Sequence, residues 1–161
     1  MEFHMKLPRN GKEFALFLAI VSILSVNIIA PLITCFEIGF SLQTWKNTLA
    51  ILPFIWVAVV IFVLLTNAPA SKLAKKIVHE KDSFNSQITV NILVNVLMMS
   101  ILLTVVATWI GTKSFTLEPV QNFFYRWPRN FAISLFVEMI IAQPIARFVL
   151  HKMHIKLDAK A

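Results

Sequence analysis

The stretch FALFLAIVSILSVNIIAPLITCF, residues 14–36, decides the fold of this chain. It holds no charged side chain, and as a helix it is long enough to cross the roughly 30 Å hydrocarbon core of a bilayer, which takes about 20 residues. It also exceeds the roughly 7–15 apolar residues of a signal peptide, and no small-residue cleavage pattern follows it. We therefore expect a retained membrane-spanning helix.

Three further apolar runs approach or meet the same length, at residues 49–68, 88–110 and 131–146. The last run is short, so its helix is expected to continue outward through Phe123, Phe124, Tyr125 and Trp127, which are side chains typical of membrane interfaces. Backbone groups in lipid must bond within their own segment. The sequence therefore predicts an all-α integral membrane protein with four transmembrane helices in a single domain over residues 1–161.

The composition excludes several classes of protein. Hydrophobic residues make up 58% of the chain and charged residues 14%, against about 45–50% and about 25% in soluble domains. The net charge of +7 could suggest nucleic acid, but basic residues that alternate with spanning runs are typical of a membrane face, so no nucleic-acid partner is expected. With Cys35 as the single cysteine and no phosphate loop or paired catalytic carboxylates, we expect no enzyme, cofactor or metal site.

The Lys and Arg residues predict the orientation. Eleven of the 15 lie before the first run, between the second and third, or after the fourth. These eleven are Lys6, Arg9, Lys12, Lys72, Lys75, Lys76, Lys81, Arg147, Lys152, Lys156 and Lys160. The positive-inside rule then places both termini in the cytoplasm, with Trp45, Trp109, Tyr125 and Trp127 as an outer aromatic belt.

The two halves of the chain also read as a tandem repeat. An offset of 75 residues pairs Pro53 with Pro128, and the same offset pairs Pro69 with Pro144. It also brings Ser25, Asn47 and His79 into register with Ser100, Asn122 and His154. We expect two parallel helical hairpins, at about residues 7–80 and 82–155, related by an axis along the membrane normal.

These hairpins resemble a known family. A serine midway up the first helix, a tryptophan near the start of the second, a mid-helix proline and a terminal Ala-Pro before basic residues are here Ser25, Trp45, Pro53 and Ala68-Pro69. The second copy keeps Ser100, Pro128 and Pro144 but has Val120 and Gln143 at the tryptophan and alanine positions. The pattern resembles the uncharacterised bacterial domain-of-unknown-function family 2798, which implies a bacterial inner-membrane protein and no assigned activity.

A looser similarity of architecture links the chain to the proteobacterial antimicrobial compound efflux transporters. Their signature combines Arg-x-x-His with Phe-Glu, and this combination is absent from the sequence, so the comparison rests on tandem hairpins and small size alone.

Glu138 is the strongest candidate for a functional residue. It lies near the middle of the fourth run, where an ionised carboxylate costs at least about 2.5–3.5 kcal/mol, so it is expected to face the bundle interior or to be protonated. It is a substrate, proton or cation site under one interpretation, and a neutral packing group hydrogen-bonded to another helix under the other. Its repeat counterpart is Val63, so only a homo-oligomer would supply a second carboxylate.

Asn27 and Pro31 form a second candidate, because Pro31 removes the amide that would bond the carbonyl of Asn27. Asn27 is predicted at nearly the depth of Glu138, and the two could share a site. Asn91 and Asn95, four residues apart, predict a polar stripe on one face of the third helix, either as interhelical hydrogen bonds or as the lining of a pathway.

Helix bends are predicted at Pro31, Pro53, Pro128 and Pro144. The four histidines, His4, His79, His151 and His154, are interpreted as solvated cytoplasmic side chains, since a metal site needs three or four convergent ligands. The basic stretch at residues 72–81 and the tail from residue 147 are expected to bind anionic lipid headgroups.

Two functions remain open from the sequence. The first is a small transporter or permeability protein for a hydrophobic or cationic solute, with Glu138 as its proton or cation site. The second is a membrane scaffold, sensor or protein that binds lipids or a partner, in which Glu138 only packs.

Overall fold

A computed structural model describes residues 6–79 and 82–159. His4, Glu80, Lys81 and Lys160, on which some of the predictions fall, lie outside the described residues. The helices are α1 (Gly11–Ile38), α2 (Leu42–Ile77), α3 (Phe84–Thr112), a short α4 (Glu118–Gln121), α5 (Phe123–Val137) and α6 (Gln143–Asp158), with a π-helical turn (Glu138–Ala142) between the last two.

Four helical stretches are long and apolar enough to cross a membrane. They are Gly11–Ile38, Leu42–Ile77, Asn85–Thr112 and Phe123–Asp158, and the last, here called the fourth span, joins α5, the π turn and α6. This confirms the prediction of a helical protein with four helices long and apolar enough to span a membrane, and the fourth begins at Phe123 as predicted.

The helices extend beyond the apolar runs because polar caps, and not hydropathy, set where they end. The side chains of Asn10 and Ser41 accept backbone hydrogen bonds from Glu13 and Thr44, which caps the first turns of α1 and α2. The 36 residues of α2 reach about 54 Å at 1.5 Å per residue. The helix therefore passes well beyond the hydrocarbon core at its polar ends.

The long helices form a ring in chain order. α1 packs on α2, α2 on α3, α3 on the fourth span, and the fourth span closes the ring against α1. In the described residues, no Cα atom of α1 lies within 8 Å of one in α3, and none of α2 lies within 8 Å of the fourth span. A four-helix bundle with two diagonal pairs results.

The ring is closed tightly at the end that holds residues 39–41 and 113–122, here called the loop end. Glu37 pairs with Arg129 at 2.8 Å, and Arg126 pairs with Glu118. Between α3 and α5, Trp127 Nε1 donates to Ser100 Oγ at 2.9 Å. These polar links tie the loop end of the fourth span to both of its neighbours.

The opposite end holds the two chain termini and is here called the terminal end. Arg9 forms a two-pronged ion pair with Asp158, at 2.9 and 3.0 Å. The hydrogen bond that the guanidinium donates to this carboxylate raises the pKa of Arg9 above its usual value. The start of α1 is thus clasped to the end of α6, although both side chains are exposed and the pair is worth little stability by itself.

Candidate functional site

Glu138 opens the π turn of the fourth span. The backbone amide of Gln143 donates to the carbonyl of Glu138, five residues earlier, in place of the α-helical partner four residues away. Pro144 follows at once, and its ring can neither donate to the carbonyl of Ile140 nor fit beside it in a regular helix. We attribute the wide turn to this proline, at a kind of bulge that is often found at functional sites.

The carboxyl group of Glu138 reaches across to α1. Ser25 Oγ donates to Glu138 Oε1 at 2.5 Å, and Ser25 itself is only 6% exposed. The side chain of Gln143 lies close to the carboxyl. A serine hydroxyl can donate to a carboxylate or accept from a carboxylic acid. The site can therefore hold Glu138 in either protonation state.

Small side chains bring the two helices together at this point. Ala142 and Ala146, both fully buried, lie one turn apart and pack with Val21 of α1. Small residues at four-residue spacing allow the backbones of membrane helices to approach closely. This close approach is what lets the short side chain of Ser25 reach Glu138.

The polar contacts continue from Glu138 toward the terminal end. Arg147 Nη2 donates to Gln143 Oε1 at 3.2 Å. Arg147 is the first residue of the tail that is expected to bind lipid headgroups, but it is half-buried and its Nε atom is inaccessible.

The structure does not bring Asn27 to this site. Asn27 is exposed, and its amide donates to the carbonyl of Ile23 in its own helix at 2.7 Å. It lines a groove of ≈ 390 Å³ between α1 and α2, together with Leu52, Pro53 and Trp56. The polar group of α1 that contacts Glu138 is Ser25, two residues earlier and on another face of the helix.

Asn91 and Asn95 do share one face of α3. The amide of Asn95 donates to the side-chain oxygen of Asn91 at 2.8 Å and to its backbone carbonyl at 2.9 Å. The pair is bonded to itself, so these contacts link it neither to another helix nor to Glu138.

The four prolines at which bends are predicted all lie in helices. Pro31 is fully buried inside α1, Pro53 lies inside α2 and Pro128 inside α5. Pro144 lies in the first turn of α6, directly after the π turn. At that proline the structure has an inserted residue, which hydropathy could not reveal.

The interpretation of His154 as a solvated side chain is wrong. His154 is fully buried, and its Nε2 lies 3.0 Å from Glu13 Oε2 of α1. His151, one turn earlier, is half-buried with its Nδ1 atom inside the protein. The sequence pattern carried one signal of this, because His154 continues the four-residue spacing of Ala146 and Leu150 along the buried face of α6.

Comparison with known proteins finds a family similar to the second half of the chain. Residues 86–154 match the family described as a domain of unknown function (DUF2798), which confirms the predicted resemblance. No curated protein and no solved structure matches the chain significantly. The matched range covers most of α3 and the fourth span, and it includes Glu138 but not Ser25.

Proposed function

We propose that this protein is a small membrane transporter or permeability protein for a hydrophobic or cationic solute, with Glu138 as its proton or cation site. The observation that supports this most directly is the Glu138–Ser25 contact between two membrane-spanning helices. A carboxyl group at this depth is costly and is usually kept for a function. Its partner serves both protonation states, so a proton can come and go without breaking the contact between the helices.

The orientation follows from the basic residues. The terminal end is cytoplasmic and the loop end faces outward, in the inner membrane of a bacterium, as the positive-inside rule and the family resemblance imply. The basic groups of the terminal end then lie beside anionic lipid headgroups, which attract each of them by about 1 kcal/mol.

The proposed hairpin repeat is supported by the burial pattern. Before the π turn, buried Asn130 follows buried Ile55 by 75 residues. After it the offset becomes 76 (146 − 70 = 76), which relates Ala142, Ala146 and Leu150 to Thr66, Ala70 and Ala74, all of them buried. A π turn inserts one residue, so we place the change of register there, and Pro144 then pairs in space with Ala68.

The two ends of the bundle suggest how access to Glu138 is controlled. Ion pairs hold the loop end shut around α5. At the terminal end α6 approaches α1 alone, and in the described residues no Cα atom of α6 lies within 8 Å of α2 or α3. A site that is closed outward and loosely enclosed on the cytoplasmic side is one state of an alternating-access cycle.

A second candidate is a non-transporting scaffold or sensor that binds a lipid or a partner helix. The groove between α1 and α2 favours it, because this groove is exposed on the outside of the ring and carries the amide of Asn27 among apolar side chains. In that case Glu138 would be a neutral hydrogen-bonded packing group.

The experiment that separates the two is transport by the purified full chain in lipid vesicles. With ethidium as a hydrophobic cationic probe, a pH gradient should drive ethidium movement that stops in Glu138→Gln. The control Asp82→Asn, an exposed acid in the connection before α3, should transport normally. If both variants move ethidium as the wild type does, or if the wild type moves none of a range of hydrophobic cations, the scaffold is favoured.

A further inference from the structure

One face of the fourth span is polar from the middle of the membrane to the terminal end. Gln143, Arg147 and His151 follow one another at four-residue spacing, and His154 comes three residues later, so they share a helix face. The π turn adds Glu138 to this stripe, because its wide turn puts residues five apart close to one above the other.

Hydrogen bonds link both ends of the stripe. At the membrane centre, Gln143 contacts Glu138 and accepts from Arg147 at 3.2 Å. At the terminal end, His154 lies 3.0 Å from Glu13, which accepts the backbone amide of Arg9 at 2.6 Å. Between Arg147 and His154 these contacts leave a gap of about two helical turns, and His151 lies within it.

Two buried nitrogen atoms face that gap. Arg147 Nε and His151 Nδ1 are both inaccessible and have no hydrogen-bond partner among the described residues. A buried polar atom without a partner costs about 1–3 kcal/mol, and such atoms in native proteins usually bind ordered water. Because two such atoms lie on successive turns of α6, we expect ordered water at this position.

The terminal half of the fourth span has fewer helix neighbours than its other half. α5 and the π turn both pack against α3, but among the described residues α1 is the one long helix with Cα atoms within 8 Å of α6. The titratable groups that α1 offers along α6 are Glu13, which is bonded to His154, and Lys12, which is exposed. In the described residues, the backbones of α2 and α3 therefore do not cover the polar face of α6.

We propose that this stripe is a hydrated proton route between the cytoplasm and Glu138. This inference rests on the proposed function of Glu138 as a proton site. A proton leaves bulk water at the Glu13–His154 pair, passes through the water at His151 and Arg147, and binds a carboxylate oxygen of Glu138, which becomes neutral. His151 relays the proton by binding it on one ring nitrogen and releasing it from the other. Arg147 holds Gln143 in place and balances the charge of Glu138 while it is ionised.

Thiol labelling tests the water without any assumption about Glu138. In full-length protein with Cys35→Ala, single cysteines are placed by Arg147→Cys, His151→Cys and, as a control at the same depth on the exposed side of α6, Phe148→Cys. A charged methanethiosulfonate reacts with a thiolate, which forms only where water reaches the thiol. In lipid vesicles we expect positions 147 and 151 to react at least about ten-fold faster than position 148. Equal rates at all three positions would overturn the hydrated route.

Proton transfer is tested by infrared spectroscopy after a rapid change of pH. His151→Phe should slow protonation of Glu138 about ten-fold and leave its final extent unchanged, because a relay group is lost and the site is not. His79→Phe, the same change at an exposed histidine, should be silent. If His151→Phe fails to fold, His151→Asn gives the same test.

The two proposals fail in different ways. If Glu138 never changes protonation in the wild type, the proposed function fails. If Glu138 titrates but His151→Phe and His151→Asn both react at the wild-type rate, the route alone is wrong.

Discussion

At the scale of single residues, Glu138 and Ser25 make a prediction that separates packing from proton binding. Glu138→Gln should leave the free energy of unfolding in detergent nearly unchanged, because glutamine keeps the shape and can still bond Ser25. Glu138→Ala should lower it by about 1–3 kcal/mol, because Ser25 then loses its partner inside the bundle. Thermal unfolding of both variants beside the wild type measures the difference, and equal losses in the two would show that the carboxyl group itself, and not its shape, stabilises the fold.

A second residue-scale prediction concerns the buried His154. Glu13→Ala removes the carboxylate that lies 3.0 Å from this fully buried ring, and should lower the free energy of unfolding. The neighbouring change Lys12→Ala affects an exposed side chain and should cost less than about 0.5 kcal/mol. If the two variants unfold alike, the Glu13–His154 contact does not stabilise the termini.

The sequence identified Glu138 but not its surroundings. A carboxylate inside an apolar run is visible because its cost in lipid is large whatever it touches. Ser25 is one of many small polar residues in the spans, and its role depends on how α1 is rotated against the fourth span. His154 was misinterpreted for the same reason, since a histidine near a basic tail has the composition of a solvated residue whether or not it is buried.

At the scale of helices, the π turn makes a prediction about register. Deleting the exposed Ile140 should convert the π turn to α-helix and keep the buried faces of α5 and α6 aligned. Deleting the exposed Phe148 from the middle of α6 should instead rotate everything after it by about 100° and remove Leu150 and His154 from α1. Circular dichroism and thermal unfolding should show a folded first variant and a strongly destabilised second one.

Hydropathy predicted the existence of the four long helices but neither their ends nor the π turn. The ends depend on caps such as Asn10 and Ser41, which lie outside the apolar runs. The π turn depends on how the helix accommodates Pro144. A helix can also accommodate a proline through a simple bend, so the proline alone does not predict a π turn.

At the scale of the whole molecule, the proposed orientation can be tested by reporter fusions. Fusions after residues 40 and 115 should be active outside the cytoplasm, and fusions after residue 80 or at the C-terminus should be active inside it. The reason is the concentration of Lys and Arg at the terminal end. A cytoplasmic signal at residue 40 would reverse the orientation, and the proposed proton route would then open to the outside.

The ring arrangement was predictable only in part. Short connections favour contact between helices that follow one another in the chain. Which helices lie diagonally across the ring depends on side-chain packing, and the apolar side chains of the four spans are too similar to predict that packing. Contacts such as Trp127 to Ser100 and Asn130 to Thr104 select the neighbour of α3. Each is polar and specific, and each joins residues far apart in the chain.

The central claim is that Glu138 binds and releases a proton inside the bundle. Its most direct test is infrared titration of the full chain in lipid bilayers, with Glu138→Gln subtracted to isolate the carboxyl band. We expect a protonated-carboxyl band, present in the wild type and absent from the variant, that disappears as the pH is raised and shifts when ethidium is added. A difference spectrum that stays the same at every pH from about 5 to about 9 would contradict the claim, because Glu138 would then be a fixed packing group.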